Sequence, residues 1–213
     1  MSTLTISNYT LKHFDLKAKA IMDEYLNLIN VDVSDYTFAG NYIWLSTATG
    51  FYTIVNETFC LFILNSGELT MLLPPIGKKE NTYDAMIQCF EIMNSHNSNR
   101  NYLKIEYVHE ELLEGFVDYL EEGTLVYEML KDFIIEKKLV DYIYKVEDLI
   151  DLKGDSYKSK RNEINRFRNV YPNHKIEILD KEKHGSAVMA LFNKWVRDRT
   201  TYMPKEEVEV FMD

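Results

Sequence analysis

The chain is short of the residues that would place it quickly. Its two cysteines, Cys60 and Cys89, supply neither a disulfide framework nor the paired spacing of a zinc site. A reducing compartment and two small core residues are the simplest expectation. Only four prolines and eight glycines are present, which excludes collagen-like and low-complexity classes. The longest apolar run, Phe59 to Leu64, falls far below the ~20 residues needed to span a bilayer. The opening MSTLTISNYTLKHF has no basic segment leading into an apolar one, so no secretory signal is read there. A cytoplasmic chain without an integral membrane segment is expected. His13, His96, His109, His174 and His184 are scattered and show no metal-ligand spacing, and no metal site is expected. Nucleophile-elbow, Walker and dinucleotide-glycine motifs are all missing, so no catalytic residue is assigned.

What is there fits a packed globular protein. Apolar residues make up 46% and charged residues 27%. Fifteen tyrosines and eleven phenylalanines provide large rings with polar tips for cores or grooves. The net charge of −10 would repel a nucleic acid or an anionic membrane if it were evenly spread. A length of 213 residues allows one large domain or two unequal ones.

Periodicity orders the elements. Leu16, Ala20, Ile21, Tyr25, Leu26 and Ile29 recur at helical spacing, and Ser34 or Asp35 offers a cap for a second helix through Trp44. Phe51 to Val55, Thr58 to Leu64 and Glu68 to Leu73 read as an antiparallel meander with tight polar turns, ended by Pro74 and Pro75. A helix over Tyr83 to Asn94, a strand over Asn101 to Val108 and a helix over Glu110 to Leu120 follow. Strands are expected at Phe133 to Glu136 and Val140 to Tyr144. Beyond them come a helix at Asp155 to Val170, a strand at Lys175 to Leu179, a helix at Lys183 to Arg199 and another towards Asp213. With a short first strand near Leu4 to Tyr9, this order resembles a GNAT acyltransferase domain. The expected fold is therefore α/β (α+β), a mixed sheet flanked by helices. The expected division is residues 1–150 as a complete first domain and 151–213 as a basic helix opening a truncated second one.

Between Lys153 and Arg168 six basic residues stand against two acidic ones, a concentration of positive charge in an acidic chain. Such a stretch is the usual footprint of a polyanionic partner, although it also serves as a plain solvated face. At about 100° per residue, Tyr157, Ile164, Phe167 and Tyr171 form an apolar stripe bordered by Arg161 and Arg168. A guanidinium beside an apolar stripe needs a carboxylate or phosphate, so either an anion cleft or an internal pair of Arg161 with Asp148 or Asp151 is expected.

The segment from Asp148 to Phe167 reads D-L-I-x-L-x-G-x-x-Y-x-x-K-R-N-x-x-N-x-F, followed by Tyr171-Pro172 and later by Trp195-Val-Arg-Asp-Arg. It resembles the signature of the phosphatidylglycerol lysyltransferase C-terminal domain family. That resemblance implies two tandem GNAT-like domains and transfer of an aminoacyl group from aminoacyl-tRNA. It further implies that Tyr157, Lys158, Lys160, Arg161, Asn162, Asn165 and Arg168 line a cleft that binds an anionic donor. The partner implied is tRNA or another phosphate-bearing ligand. A non-catalytic binder of RNA or a phosphorylated ligand is one alternative. Another is a coenzyme A-dependent N-acetyltransferase using acyl-CoA. The usual glycine-rich pyrophosphate turn is missing from the first domain, where Tyr107 to Glu110 reads Tyr-Val-His-Glu, and no cofactor is expected in this chain. Self-association through an unfinished sheet edge of the second domain is also expected.

Overall fold

A hairpin opens the chain in the computed structural model, which describes residues 3–31, 33–45, 49–120, 123–124, 127–128, 131, 133–137 and 140–200. Strand β1 (Thr3–Ile6) turns back on β2 (Tyr9–His13), with Ser7 at φ 52° and Ile6 opposite Tyr9. The single strand expected over Leu4 to Tyr9 is therefore two, because polar Ser7 and Asn8 form a two-residue turn. Helices α1 (Ala18–Leu26) and α2 (Phe38–Trp44) follow. Thr37 caps α2, its hydroxyl accepting from the Gly40 amide at 3.1 Å. Ser34 instead gives its amide and hydroxyl to the Asp141 carboxylate, at 2.9 and 3.0 Å.

The meander then runs as expected through β3 (Thr49–Val55), β4 (Thr58–Asn65) and β5 (Glu68–Met71). Asn56 and Glu57 both take positive φ, as do Ser66 and Gly67, so each reversal follows the right-handed twist of its strands. The five strands lie in the order β1-β2-β3-β4-β5, every neighbour antiparallel. Helices α3 (Lys79–His96) and α4 (Glu110–Tyr119) follow the sheet in the chain.

Two apolar layers sandwich the sheet. On one face Leu11, Phe51, Cys60, Phe62, Leu69 and Met71 meet Met86, Cys89, Phe90 and Met93 of α3 and Phe116 of α4. On the other, Phe59, Leu61 and Ile63 meet Phe14, Met22 of α1 and Phe38 of α2. Strand β4 alternates between both layers, which explains why its sequence is a continuous apolar run rather than an apolar-polar alternation. Burial pushes the Cys89 thiol up, and a hydrogen bond with Cys60 adds to it.

Four expected strands are corrected. Asn101 to Val108 begins with a 3₁₀ turn (Arg100–Tyr102), and among the described residues its backbone pairs with the sheet at Met71 alone, through Met71 N to Lys104 O at 3.1 Å and Glu106 N to Met71 O at 2.9 Å. That contact is the parallel element of the sheet. It goes no further because β5 ends at Met71 just before the two prolines, and Tyr107 leaves the extended region at φ 47°. Phe133 to Glu136 and Val140 to Tyr144 join no ladder. Phe133 packs its ring on Phe90 instead, at 4.7 Å. Lys175 to Leu179 keeps a strand-like alternation but finds no partner strand among the described residues, leaving Ile176 and Ile178 each 93% exposed.

The chain divides into two compact units, Met1–Asp141 and Tyr142–Asp213. The second contains α5 (Val146–Asp151), a 3₁₀ turn (Asp155–Tyr157), α6 (Lys158–Val170) and α7 (Lys181–Thr200). The helix expected towards Asp213 lies outside the described residues. At the start of α7 the Asp180 carboxylate accepts from the Lys183 amide at 2.8 Å, while the His184 ring accepts from the Asp180 amide at 2.9 Å. The two bonds resemble a capping box, with the reciprocal one made by a histidine four residues after the cap instead of a Glu or Gln three after it. No helix among the described residues is long and apolar enough to cross a membrane. Seven helices and one curled antiparallel sheet among the described residues make this an α+β fold consistent with the GNAT-like expectation.

Candidate functional site

The basic stretch is built on a turn that sets where its helix starts. Helix α5 stops at Leu152, which turns left-handed at φ 49°, its amide still bonded to Asp148 O at 2.8 Å. Gly154 at φ 85° and ψ 175° then redirects the chain, a conformation that a side chain would strain. The 3₁₀ turn leads straight into α6, and no side chain caps that start.

Arg161, one turn into α6, reaches back across this junction. Its Nη1 donates to the carbonyl of Leu152 and to that of Gly154 at 2.7 Å. Helix ends leave carbonyls without intrahelical partners, and the guanidinium satisfies two at this bend. The expected internal pairing of Arg161 with Asp148 or Asp151 does not occur, since Asp151 takes Lys153 at 2.7 Å. Arg161 is thus half-buried and engaged with backbone.

The other cations are freer. Lys160 sits 3.6 Å from Glu163, both side chains about two-thirds exposed, a pair of little energetic weight. Among the described residues no carboxylate pairs with Lys158, Arg166 or Arg168, all of them exposed. Asn162 and Asn165 are exposed as well, and Tyr157 is half-buried at the position just before α6. Lys158, Arg161, Asn165 and Arg168 recur at i, i+3, i+7 and i+10, which places them within one sector of about 80°. Lys160 and Asn162 fall to either side of it. Four of the seven expected ligands therefore share a helix face, and Arg168 stands in the last turn of α6, where a cation complements the helix dipole.

Beyond α6 is a feature that the sequence reading passed over. Phe167 lies 5.1 Å from the Tyr171 ring and 5.1 Å from the His174 ring, the latter edge-on at 71°. The Nδ1 of His174 lies 2.7 Å from the Tyr171 carbonyl oxygen, which ties that ring to the turn. Phe167 and Tyr171 are 50% and 57% exposed, and with Val170, Pro172 and Lys175 they line an open hollow of about 560 Å³. The spacing Phe167, Tyr171, His174 was the signal available, with the last step carried by the turn after the helix.

In the first unit, the start of α4 is a poor place for a pyrophosphate. Helix N-termini attract anions, but here Glu110 and Glu111 occupy the first turn. Among the described residues no group of three His, Cys, Asp or Glu side chains is arranged to hold a metal ion.

The chain is an α+β protein whose second unit carries exposed cations on one face of α6 after a glycine turn. The chain belongs to the family described as phosphatidylglycerol lysyltransferase, C-terminal, which matches residues 26–213. The match begins at the last residue of α1, so the β1–β2 hairpin lies outside it. Membership makes the chain related to acyl and aminoacyl transferases. No curated protein and no solved structure matches the chain.

Proposed function

We propose that the chain acts in aminoacyl transfer, with α6 holding the phosphates of an aminoacyl-tRNA while its terminal ester meets an acceptor amine or hydroxyl. The observation that supports this most is the pair of exposed cations Lys158 and Arg168 on one face of α6, with no carboxylate partner among the described residues, in a chain of net charge −10. Cations held away from their own carboxylates bind a polyanion without first breaking an ion pair. The N-terminal end of α6 adds the positive end of the helix dipole. Asn165 contributes an amide that can donate to a phosphate or carbonyl oxygen. Arg161 acts through position: by holding the carbonyls of Leu152 and Gly154 it fixes where α6 begins and where Lys158 points.

In this reading the acceptor's lone pair forms a bond to the aminoacyl carbonyl carbon, the ester C–O bond breaks, and the ribose oxygen leaves with a proton. Positioning and charge stabilisation supply the acceleration, and no general base is assigned. The test is transfer of a labelled amino acid from charged tRNA to a small amine by the intact chain. Transfer that falls in Lys158→Ala and Arg168→Ala supports the reading. Salt-sensitive tRNA binding with no transfer replaces it with a non-catalytic RNA binder. Neither binding nor transfer ends it.

A further inference from the structure

We propose that Phe167, Tyr171 and His174 form a stacking shelf for an unpaired nucleobase at the end of the RNA held along α6. This rests on the tRNA reading and names the part of the ligand that this end of the site takes. The Phe167 ring lies 5.1 Å from the Tyr171 ring and 5.1 Å from the His174 ring, and Phe167 and Tyr171, both about half exposed, border a hollow of about 560 Å³. A flat base replaces water over such rings and gains stacking energy with any base identity.

Charge placement selects this occupant over a purely apolar one. Arg168 follows Phe167 directly and precedes Tyr171 by three residues, in the same helix sector as Lys158 and Asn165, and Lys175 lines the hollow. The helix itself sorts the ligand. Its N-terminal end favours phosphate, and at its C-terminal end Arg168 offsets the negative end of the dipole and is the cation that holds one. From Lys158 to Arg168 the cationic sector runs about 15 Å along the axis, so a strand with phosphates on it ends beside Tyr171, three residues beyond Arg168, with the Phe167 ring next to it. Among the described residues that line the hollow, Lys175 is the one cation, whereas a base there meets the rings of Phe167 and Tyr171.

The test uses the intact chain and three short RNA hairpins: blunt-ended, with a single-stranded 3′ overhang, and with the same overhang carrying an abasic terminal nucleotide. The overhang hairpin binds about tenfold or more tighter than the abasic one, the increment expected of one stacked base. Phe167→Leu and Tyr171→Leu erase that difference and leave blunt-hairpin binding and its salt dependence unchanged, while Tyr171→Phe keeps it. Equal binding of overhang and abasic hairpins by the unmodified chain overturns the shelf. If the blunt hairpin still binds in a salt-dependent way, the reading of the α6 cations survives that outcome. Loss of all RNA binding removes both.

Discussion

Strand β4 and the segment from Lys175 to Leu179 have similar apolar residues and opposite surroundings. In β4, Phe59, Leu61 and Phe62 are almost completely buried between two helical layers. In the later segment, Ile176 and Ile178 are 93% exposed with no ladder beside them. Apolar character alone therefore does not make a sheet; a neighbouring strand and a covering helix do. The first unit carries the packed core, and the second carries cations and rings turned outward.

The sharpest way to break this contrast is to remove side chains on both sides of it. Phe59→Ala should lower the unfolding free energy of the first unit by about 3–5 kcal/mol, read as a shift in denaturant midpoint. Ile178→Ala should change stability by no more than about 0.5 kcal/mol. Equal losses would mean that the later segment is covered in solution.

A second, smaller effect lies between α3 and α4. A Cβ at Gly115 would come within 2.1 Å of the Tyr83 hydroxyl, which is itself buried with no hydrogen-bond partner among the described residues. Gly115→Ala should cost about 1–3 kcal/mol through overpacking. Tyr83→Phe should be neutral or stabilising by up to about 1 kcal/mol, because it deletes an unsatisfied group. A double-mutant cycle by thermal unfolding should show the two substitutions coupled, since the phenylalanine relieves the closest clash. Independent additive effects would contradict the close approach.

In the second unit, Arg161→Ala should release the carbonyls of Leu152 and Gly154 at a cost of about 1–2 kcal/mol. Hydrogen exchange of the amides between 152 and 158 should speed up in the variant. Lysine should restore only part of the protection, since it lacks the planar fork. Unchanged exchange would show that Arg161 leaves these carbonyls in solution.

The smallest effect is electrostatic. Desolvation raises the Asp35 pKa, and the nearby Asp141 carboxylate raises it further against a weaker lowering by its own backbone amide. The folded state therefore holds that proton to higher pH than the unfolded chain does. Its contribution to stability is full below the unfolded carboxyl pKa and is lost as pH rises through the folded value. Asp35→Asn should flatten this slope in pH-dependent denaturation, with the variant gaining on the parent towards neutral pH. A parent that gains stability relative to the variant over that rise would reverse the sign.

Much of this was legible in the sequence where local pattern and tertiary packing agree. The meander announced itself through β-branched and aromatic runs broken by Asn56-Glu57 and Ser66-Gly67, and the helix spanning Glu110 to Leu120 through its apolar spacing. Asn101 to Val108 misled because alternation was present while β5 was too short to pair with it. Phe133 and Asp141 misled because their residues serve a ring contact and a side-chain bond to Ser34, neither of which is written in periodicity. At the site, the cationic content of α6 and the border position of Arg161 were visible. The actual partners of Arg161 were not, because they are backbone carbonyls made available by a left-handed Leu152 and by Gly154. The ring trio was hidden because His174 lies past the end of the helix, where helical spacing no longer predicts neighbours.

The central claim, that the outward cations of α6 receive phosphates, is tested most directly by the affinity for uncharged tRNA across a salt series. For the unmodified chain the logarithm of the affinity should fall linearly with the logarithm of salt concentration. Lys158→Ala and Arg168→Ala should each reduce the slope by about one phosphate contact. Slopes identical in the parent and both variants, or affinity indifferent to salt, would contradict it.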